Sequence, residues 1–257
     1  MDADMSFKEY AAYYDLIYKD KDYETEVDFI EDIFGEFIGA SNPKNILEVG
    51  CGTGNYTKIL VDRGYEVTAV DVSEDMLKLA SEKCDCEVIK GDISEITIND
   101  KFDTCIAMFA VMGYITENAD IIKALNNIHK HLKPNGIFVF DVWNGLAVLR
   151  LLPEQRLKEV ESDEILITRF AVPNLKAFDH ICEVNYKLII QNKRDTKLKE
   201  INEKHVMRFY FPQELKYYLE NAGFEVLKIC PFLDLNGRVD ENVWNIAVIA
   251  RAVGGEE

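Results

Sequence analysis

Ile46-Leu47-Glu48-Val49-Gly50-Cys51-Gly52-Thr53-Gly54 is the stretch that decides the fold. The first four residues read as a buried strand, and the glycines read as a tight turn into a helix over Tyr56 to Arg63, stopped by Gly64. Glycine here removes the Cβ that would hold a nucleoside away from the backbone, and it tolerates positive φ. A second strand, Glu66 to Val70, ends at Asp71, whose carboxylate can accept hydrogen bonds from both hydroxyls of a ribose, the usual role of an acidic residue about 20 positions on. The dinucleotide fingerprint G-x-G-x-x-G is broken, because Asn55 stands where its third glycine would fall, and this disfavours NAD or FAD. No Gly-Lys-Ser/Thr follows, which excludes a phosphate-binding P-loop.

Outward from this stretch, strands and helices alternate. Ser73 caps a helix that turns Met76, Leu77 and Ala80 inward, a third strand runs from Glu87 to Lys90 before Gly91-Asp92, and a fourth runs from Phe102 to Phe109. A helix over Ile121 to Leu132, a Pro134-Asn135-Gly136 turn and a strand over Ile137 to Asp141 follow. This order predicts an α/β fold, a doubly wound and mostly parallel Rossmann-like sheet, with ligands at the strand C-terminal edge. Before it, residues 6–20 are tyrosine-rich and helical in part, and residues 22–38 carry Val27, Ile30, Ile33, Phe34 and Phe37 at helical spacing up to a break at Asn42-Pro43. After Asp141 the pattern turns β-rich at about 161–172, 178–192 and 197–210, which predicts an inserted three-stranded antiparallel β-meander. A helix over Pro212 to Asn221 and two strands, Glu225 to Cys230 and Val243 to Arg251, close the chain; a short turn is expected to pair those strands antiparallel, ahead of a disordered tail at 254–257.

The 257 residues are 48% hydrophobic, enough for a sizeable core, and carry a formal net charge of −17. That charge repels phosphate backbones and anionic bilayers, so neither nucleic acid nor membrane is an expected partner. No apolar run is long enough to span a bilayer. The start, Met1-Asp2-Ala3-Asp4, has no secretory character, so a cytoplasmic location with six free cysteines is expected. Cys84-Asp85-Cys86 lacks a second matching pair, and no metal site is expected.

Taken together, ILEVGCGTGNYTKIL, VTAVDVSEDML, VIKGDISEI, FDTCIAMFAVMGYI and LKPNGIFVFD resemble the ordered motifs of class I S-adenosyl-L-methionine (SAM)-dependent methyltransferases. The resemblance implies a seven-stranded sheet with an antiparallel final hairpin, and SAM as cofactor. It implies that the loop of Gly50, Cys51, Gly52 and Gly54 passes the methionine part and Glu48 lies near its amino group. Asp71 would hold the ribose, Val72 and Met76 would pack on the adenine, Asp92 with Ile93 beside it would meet the adenine amino group, and Met108 would lie near the cofactor. The chain then divides into lid helices and SAM-binding core (1–141), a meander shaping the acceptor site (142–210) and a closing segment (211–257).

Tyr14-Asp15-Leu16-Ile17-Tyr18 with Lys21-Asp22-Tyr23, Met108 to Tyr114, and Glu203 to Phe209 are similar to segments of nucleotide-linked amino-sugar N-methyltransferases. Those enzymes form dimers, so a homodimer and a small-molecule methyl acceptor are implied. Asp141-Val142-Trp143-Asn144 departs from their more aromatic stretch, and Arg208 has no fixed counterpart. The catalytic candidates are Tyr14, Tyr114 and His205, with Tyr14 also able to lid the cofactor; the acceptor candidates are Tyr18, Tyr114, Trp143 and Arg208, the last as a bidentate anion ligand. Each has a structural alternative: core packing for the tyrosines, an internal ion pair for Arg208. The rival functions are a protein or tRNA methyltransferase and a SAM-binding regulator without catalysis.

Overall fold

The computed structural model describes residues 9–39 and 43–254. Residues 6–8 of the tyrosine-rich segment, Asn42 of the expected break and residues 255–257 of the tail lie outside the described residues. Two helices, α1 (Ala11–Ile17) and α2 (Tyr23–Phe37), precede the alternating core of β1 (Asn45–Val49), α3 (Asn55–Asp62), β2 (Glu66–Asp71), α4 (Glu74–Lys83), β3 (Glu87–Lys90), β4 (Phe102–Ala107), α5 (Asn118–His131) and β5 (Leu132–Trp143). Then come α6 (Gly145–Leu151), the strands β6 (Arg156–Glu161), β7 (Ile165–Lys176), β8 (Ile181–Asn192) and β9 (Leu198–Arg208), and finally α7 (Pro212–Asn221), β10 (Phe224–Pro231) and β11 (Asn245–Ala252).

The seven-stranded sheet has the order β10-β11-β5-β4-β1-β2-β3. Its pairs from β5 through β3 are parallel, and β11 runs antiparallel to both β5 and β10. Period-2 alternation sends Leu47, Val49, Phe138, Phe140 and Val248 to one face against Ile121, Leu125 and Ile128 of α5 and Leu215 and Leu219 of α7. Ile46, Val67, Ile106, Val139 and Ile249 face the other side against Val27, Ile30, Ile33 and Phe34 of α2 and Leu60 of α3. The helices stop and start where local chemistry directs. Asp22 caps α2 by accepting from Thr25 N at 3.0 Å, and Ser73 caps α4 by accepting from Met76 N at 3.4 Å. No described helix is long and apolar enough to cross a membrane.

The insert differs from expectation in having four antiparallel strands rather than three, in the order β6-β7-β8-β9. The extra strand, Arg156-Leu157-Lys158-Glu159-Val160-Glu161, buries only Val160, so its alternation is nearly silent in the sequence. Helix α6 was likewise unsignalled. The last two strands pair antiparallel as expected, but through residues 232–244 instead of a short turn. Strand β5 starts at Leu132, and the Pro134-Asn135-Gly136 turn lies inside its ladder, with Asn135 at φ +63°.

Two contacts position the insert. Helix α1 lies on it, with Tyr10 and Ile17 packed among Val160, Ile167, Leu188, Ile190 and Ile201. At its base, Tyr210 N donates to Trp143 O at 2.9 Å and Gly145 N to Tyr210 O at 2.7 Å. Asn144, fully buried there, donates through Nδ2 to the carbonyls of Asp240 and Val243, both at 2.9 Å. Asn144→Ala leaves both carbonyls without their partner and removes the α6 cap that Leu146 N uses at 3.2 Å. Urea denaturation is expected to show a loss of about 2–4 kcal/mol; a loss below about 0.5 kcal/mol, the scale of an uninvolved surface site, would contradict this account of the junction.

Candidate functional site

The glycine loop lies at the C-terminal end of β1, where Gly50 N and Cys51 N donate to Val70 O at 2.7 and 3.0 Å. A Cβ on Gly50 would meet Val111 Cγ2 at 2.5 Å, whereas one on Gly52 would meet nothing within 4 Å. Gly50 therefore allows the Val111 segment to close on β1, and Gly52 leaves the loop backbone open to a ligand. Asp71, at the end of β2, accepts from Gly52 N at 2.9 Å through one oxygen and from Ser73 N at 2.8 Å through the other. Each carboxylate oxygen keeps a further acceptor site for a hydroxyl. Burial pushes the Asp71 carboxyl up, against the backbone hydrogen bonds from Ser73 and Gly52 that pull it down.

Glu48 is buried beneath the loop and accepts from Thr57 Oγ1 at 2.6 Å; burial raises its carboxyl to about 8. Cys51 packs with Ala69 and Leu77, Met76 is buried, and Val72 is half-buried beside Asp71. Asp92 is exposed after β3 and accepts from Ser94 N and Oγ at 2.7 and 2.6 Å, with Ile93 turned to the core. Met108 is buried in the α2-side core.

Helix α1 is tied to this loop through Asp15, Thr53 and Lys83, which sequence reasoning had not singled out, and through Asn55. Asp15 of α1 accepts from Thr53 Oγ1 at 2.6 Å and Asn55 Nδ2 at 3.1 Å, and pairs with Lys83 at 2.7 Å. Burial opposes ionisation of Asp15, but hydrogen bonds from Lys83, Thr53 and Asn55 hold its carboxyl below the ordinary value. Asn55, the residue in place of the third glycine, is thus part of a latch. Lys21 lies over the rings of Tyr23, Tyr56 and Phe109 at 4.8, 5.4 and 4.8 Å and pairs with Glu26, which also accepts from Tyr56 Oη. The Tyr23 hydroxyl nearby is buried without a hydrogen-bond partner. Beyond β4, Phe109 and Ala110 both hold left-handed backbone, at φ +69° and +59°. Asp141 stabilises that turn by accepting from Ala110 N at 3.0 Å, and burial lifts its carboxyl to about 6.

Tyr14 and Tyr18 pack against the hydrophobic cluster that joins α1 to the insert. Their rings are 4.7 Å apart, and Tyr18 meets Phe109 edge-on at 5.2 Å. Tyr114 and His205, from opposite ends of the expectation, come together: Tyr114 Oη lies 2.7 Å from His205 Nδ1, and His205 Nε2 lies 3.1 Å from Glu203 Oε2. His205 is only 4% exposed, while Tyr114 as a residue is partly exposed, with its phenol turned inward to His205. Burial, then the neighbouring Tyr186, Tyr18 and Tyr10, push the Tyr114 phenol well above its ordinary value, so it stays protonated. Trp143 is half-buried, against Trp244 at 5.9 Å and the small core of Ala171, Cys182 and Val184.

Arg208 does not present an open fork. It is buried, donates to Thr116 O at 2.9 Å and Asn118 Oδ1 at 2.7 Å, and pairs with Glu214. A guanidinium so occupied would have to break an internal ion pair to bind a substrate anion through these nitrogens.

Residues 46–136 match the family model described as a methyltransferase domain. The structure of an S-adenosylmethionine-dependent methyltransferase from Clostridium acetobutylicum ATCC 824 superposes with a TM-score of 0.79 at 25% identity, covering 96% of this chain and 98% of that one. The chain is a class I SAM-dependent methyltransferase. It is also 26% identical over 233 residues to the YqeM protein of Bacillus subtilis, covering 88% of this chain and 89% of that protein. A similarity of 29% over 140 residues links it to the dTDP-3-amino-3,4,6-trideoxy-alpha-D-glucopyranose N,N-dimethyltransferase of Streptomyces venezuelae, covering 52% of this chain and 57% of that enzyme.

The site of this methyltransferase fits SAM on its own chemistry: an open backbone at Gly52, a carboxylate with spare acceptor positions at Asp71 and a buried orphan hydroxyl at Tyr23. Glu48 has a measurable signature. Its folded pKa of about 8 exceeds the ordinary value of 4.5, so its contribution to stability is present below 4.5 and is lost as pH rises through 8. Glu48→Gln is expected to flatten this decline, worth roughly 3–5 kcal/mol over that window, in urea melts at acidic and alkaline pH. Parallel pH profiles for the two proteins would contradict a neutral Glu48.

Proposed function

We propose that this methyltransferase N-methylates a small polar amine held in the tyrosine cleft, with a nucleotide-linked amino sugar as the finer candidate. The observation that carries the reading is the Tyr114–His205–Glu203 chain, which offers a proton path beside the strand ends. The partial likeness to a sugar N,N-dimethyltransferase supports the amine, and the net charge of −17 supports a small acceptor over RNA.

SAM supplies a methyl group on a sulfonium whose departure leaves a neutral thioether, so the protein chiefly aligns acceptor and donor. In this reading Asp71 receives the ribose hydroxyls, and Glu48 lies toward the amino group. Lys21 and Tyr23 stand where a carboxylate can be met, and Tyr14 closes over the loop through the Asp15 latch. An amine acceptor must lose a proton. With Nε2–H of His205 donating to Glu203, Nδ1 accepts the Tyr114 hydroxyl proton while Tyr114 Oη takes one from the ammonium. The imidazolium formed is stabilised by Glu203, and no charge is left on the phenol.

Asp71→Ala is expected to weaken SAM and S-adenosylhomocysteine binding by about 1–3 kcal/mol in calorimetry; an unchanged affinity would remove the ribose assignment, and no binding by the native protein would remove the cofactor reading. For the acceptor, labelled SAM with sugar nucleotides, amino acids and polyamines identifies the substrate. On it, Tyr114→Phe and His205→Gln are expected to lower kcat by about tenfold to a hundredfold with SAM affinity unchanged. Full activity in both variants would exclude the proton path.

A further inference from the structure

Asn127 and His131 lie one turn apart on α5, and both bond to the segment 91–101 that joins β3 to β4. Asn127 Nδ2 donates to Ile93 O at 2.9 Å and to Ile96 O at 2.8 Å, so both amide hydrogens are spent on this segment. Buried His131 accepts from Ile98 N at 3.0 Å through Nε2. Its Nδ1 lies 2.8 Å from Asn127 O, an oxygen that can only accept, so the ring proton sits on Nδ1 and Nε2 is the acceptor. The segment has no helix or strand of its own to satisfy these backbone groups. Two side chains of another element do so instead.

The consequence falls on Asp92. Gly91 N donates to Asp71 O at 3.0 Å, so the segment starts on the residue assigned to the ribose. Asp92 O accepts from Ile96 N at 2.8 Å, and the next carbonyl, Ile93 O, is taken by Asn127. The backbone on both sides of Asp92 is thereby fixed, although Asp92 itself is exposed. Ser94 donates twice to Asp92 Oδ1, and Oδ2 keeps its acceptor positions among the described residues. Ile93, Ile96 and Ile98 press the segment against the core, and Gly91 permits this approach, since a Cβ there would meet Ile96 Cδ1 at 2.7 Å. Strand β3 pairs directly with β2, Lys90 opposite Asp71. A base carried by a ribose on Asp71 therefore reaches the end of β3, where Asp92 offers an oxygen to an exocyclic amino group.

We propose that Asn127 and His131 are positioning residues for adenine recognition: by holding the backbone of Ile93, Ile96 and Ile98 they aim the Asp92 carboxylate at the adenine 6-amino group. They act through the segment and not on the cofactor itself. This rests on the reading of Asp92 as the partner of that amino group and is independent of the methyl acceptor. An exposed carboxylate that swings freely loses to water much of what a hydrogen bond would add, whereas one on a fixed backbone has its ordering completed in advance.

The test is calorimetric and needs no acceptor. S-adenosylhomocysteine is compared, on the full chain, with the analogue whose base is purine and lacks the 6-amino group. The native protein is expected to bind the adenine compound about tenfold or more tightly, the scale of one hydrogen bond to a charged group. Asp92→Ala should erase that preference. Asn127→Ala and His131→Leu should each lose most of it, through weaker binding of S-adenosylhomocysteine while the purine analogue binds as it does to the native protein. Retained affinity for the analogue shows that the variants are folded. His131→Gln, whose amide oxygen can still accept from Ile98 N, should keep the preference. A native-sized preference in Asn127→Ala or His131→Leu would remove that residue from the role, and so would an equal loss of both ligands, which marks a merely structural brace. A His131→Gln protein as indiscriminate as His131→Leu would likewise overturn the His131 assignment. A preference absent from the native protein, or intact in Asp92→Ala, would instead remove the Asp92 reading, and the proposal with it.

Discussion

The carboxylate of Asp71 holds two loop backbones at once, taking Gly52 N through one oxygen and Ser73 N through the other. The cofactor edge depends on this arrangement. It fixes the glycine loop against the end of β2, where Val70 O already takes Gly50 N and Cys51 N. It also sets the residue that caps α4, since Ser73 is bonded to Asp71 through its own N–H. A carboxylate held by two backbone N–H groups is fixed in place before any further partner reaches it, which is the physical content of preorganisation.

Around this edge the chain buries charge in a graded way. Glu48 and Asp141 lie in the core with raised carboxyls, at about 8 and 6 respectively, because burial disfavours their ionised forms. Asp15 goes the other way, since Lys83, Thr53 and Asn55 outweigh its partial burial. Helix α1 is therefore held by an ionised carboxylate, and the loop floor by one that carries a proton over much of the neutral range. Asp141 has a further task, restraining Phe109 and Ala110 in left-handed backbone at the point where the cofactor edge meets the tyrosine cleft. That strain is local, and the Ala110 N–H, shared between both oxygens of the buried Asp141 carboxylate, holds it.

Much of the core could be read from sequence because its signals are local. Glycines at 50, 52 and 54, an aspartate at a strand end and alternating apolar runs each act over a few residues, and β1 to β5 follow from them. The closing helix Pro212–Asn221 is read to the residue, since proline starts it and Gly223, at φ +84°, follows its end. The insert was read less well. Strand β6 buries one side chain, so its alternation has almost no hydrophobic contrast, and the long connection over 232–244 is held by Asn144 from another element. No short-range pattern carries either fact.

The candidate site divides in the same manner. The sequence by itself determined the glycine loop and its aspartate partner, because Gly50, Gly52 and Asp71 act through the backbone of one strand–loop–helix unit whose geometry is nearly independent of what surrounds it. It also supplied Tyr114 and His205 as separate candidates, without a reason to join them. Only the tertiary structure decided that these two share a hydrogen bond with Glu203 behind them, and that Arg208 pairs with Glu214. The physical reason is that an ion pair or a proton path is a property of distance between side chains far apart in sequence, and folding alone sets that distance.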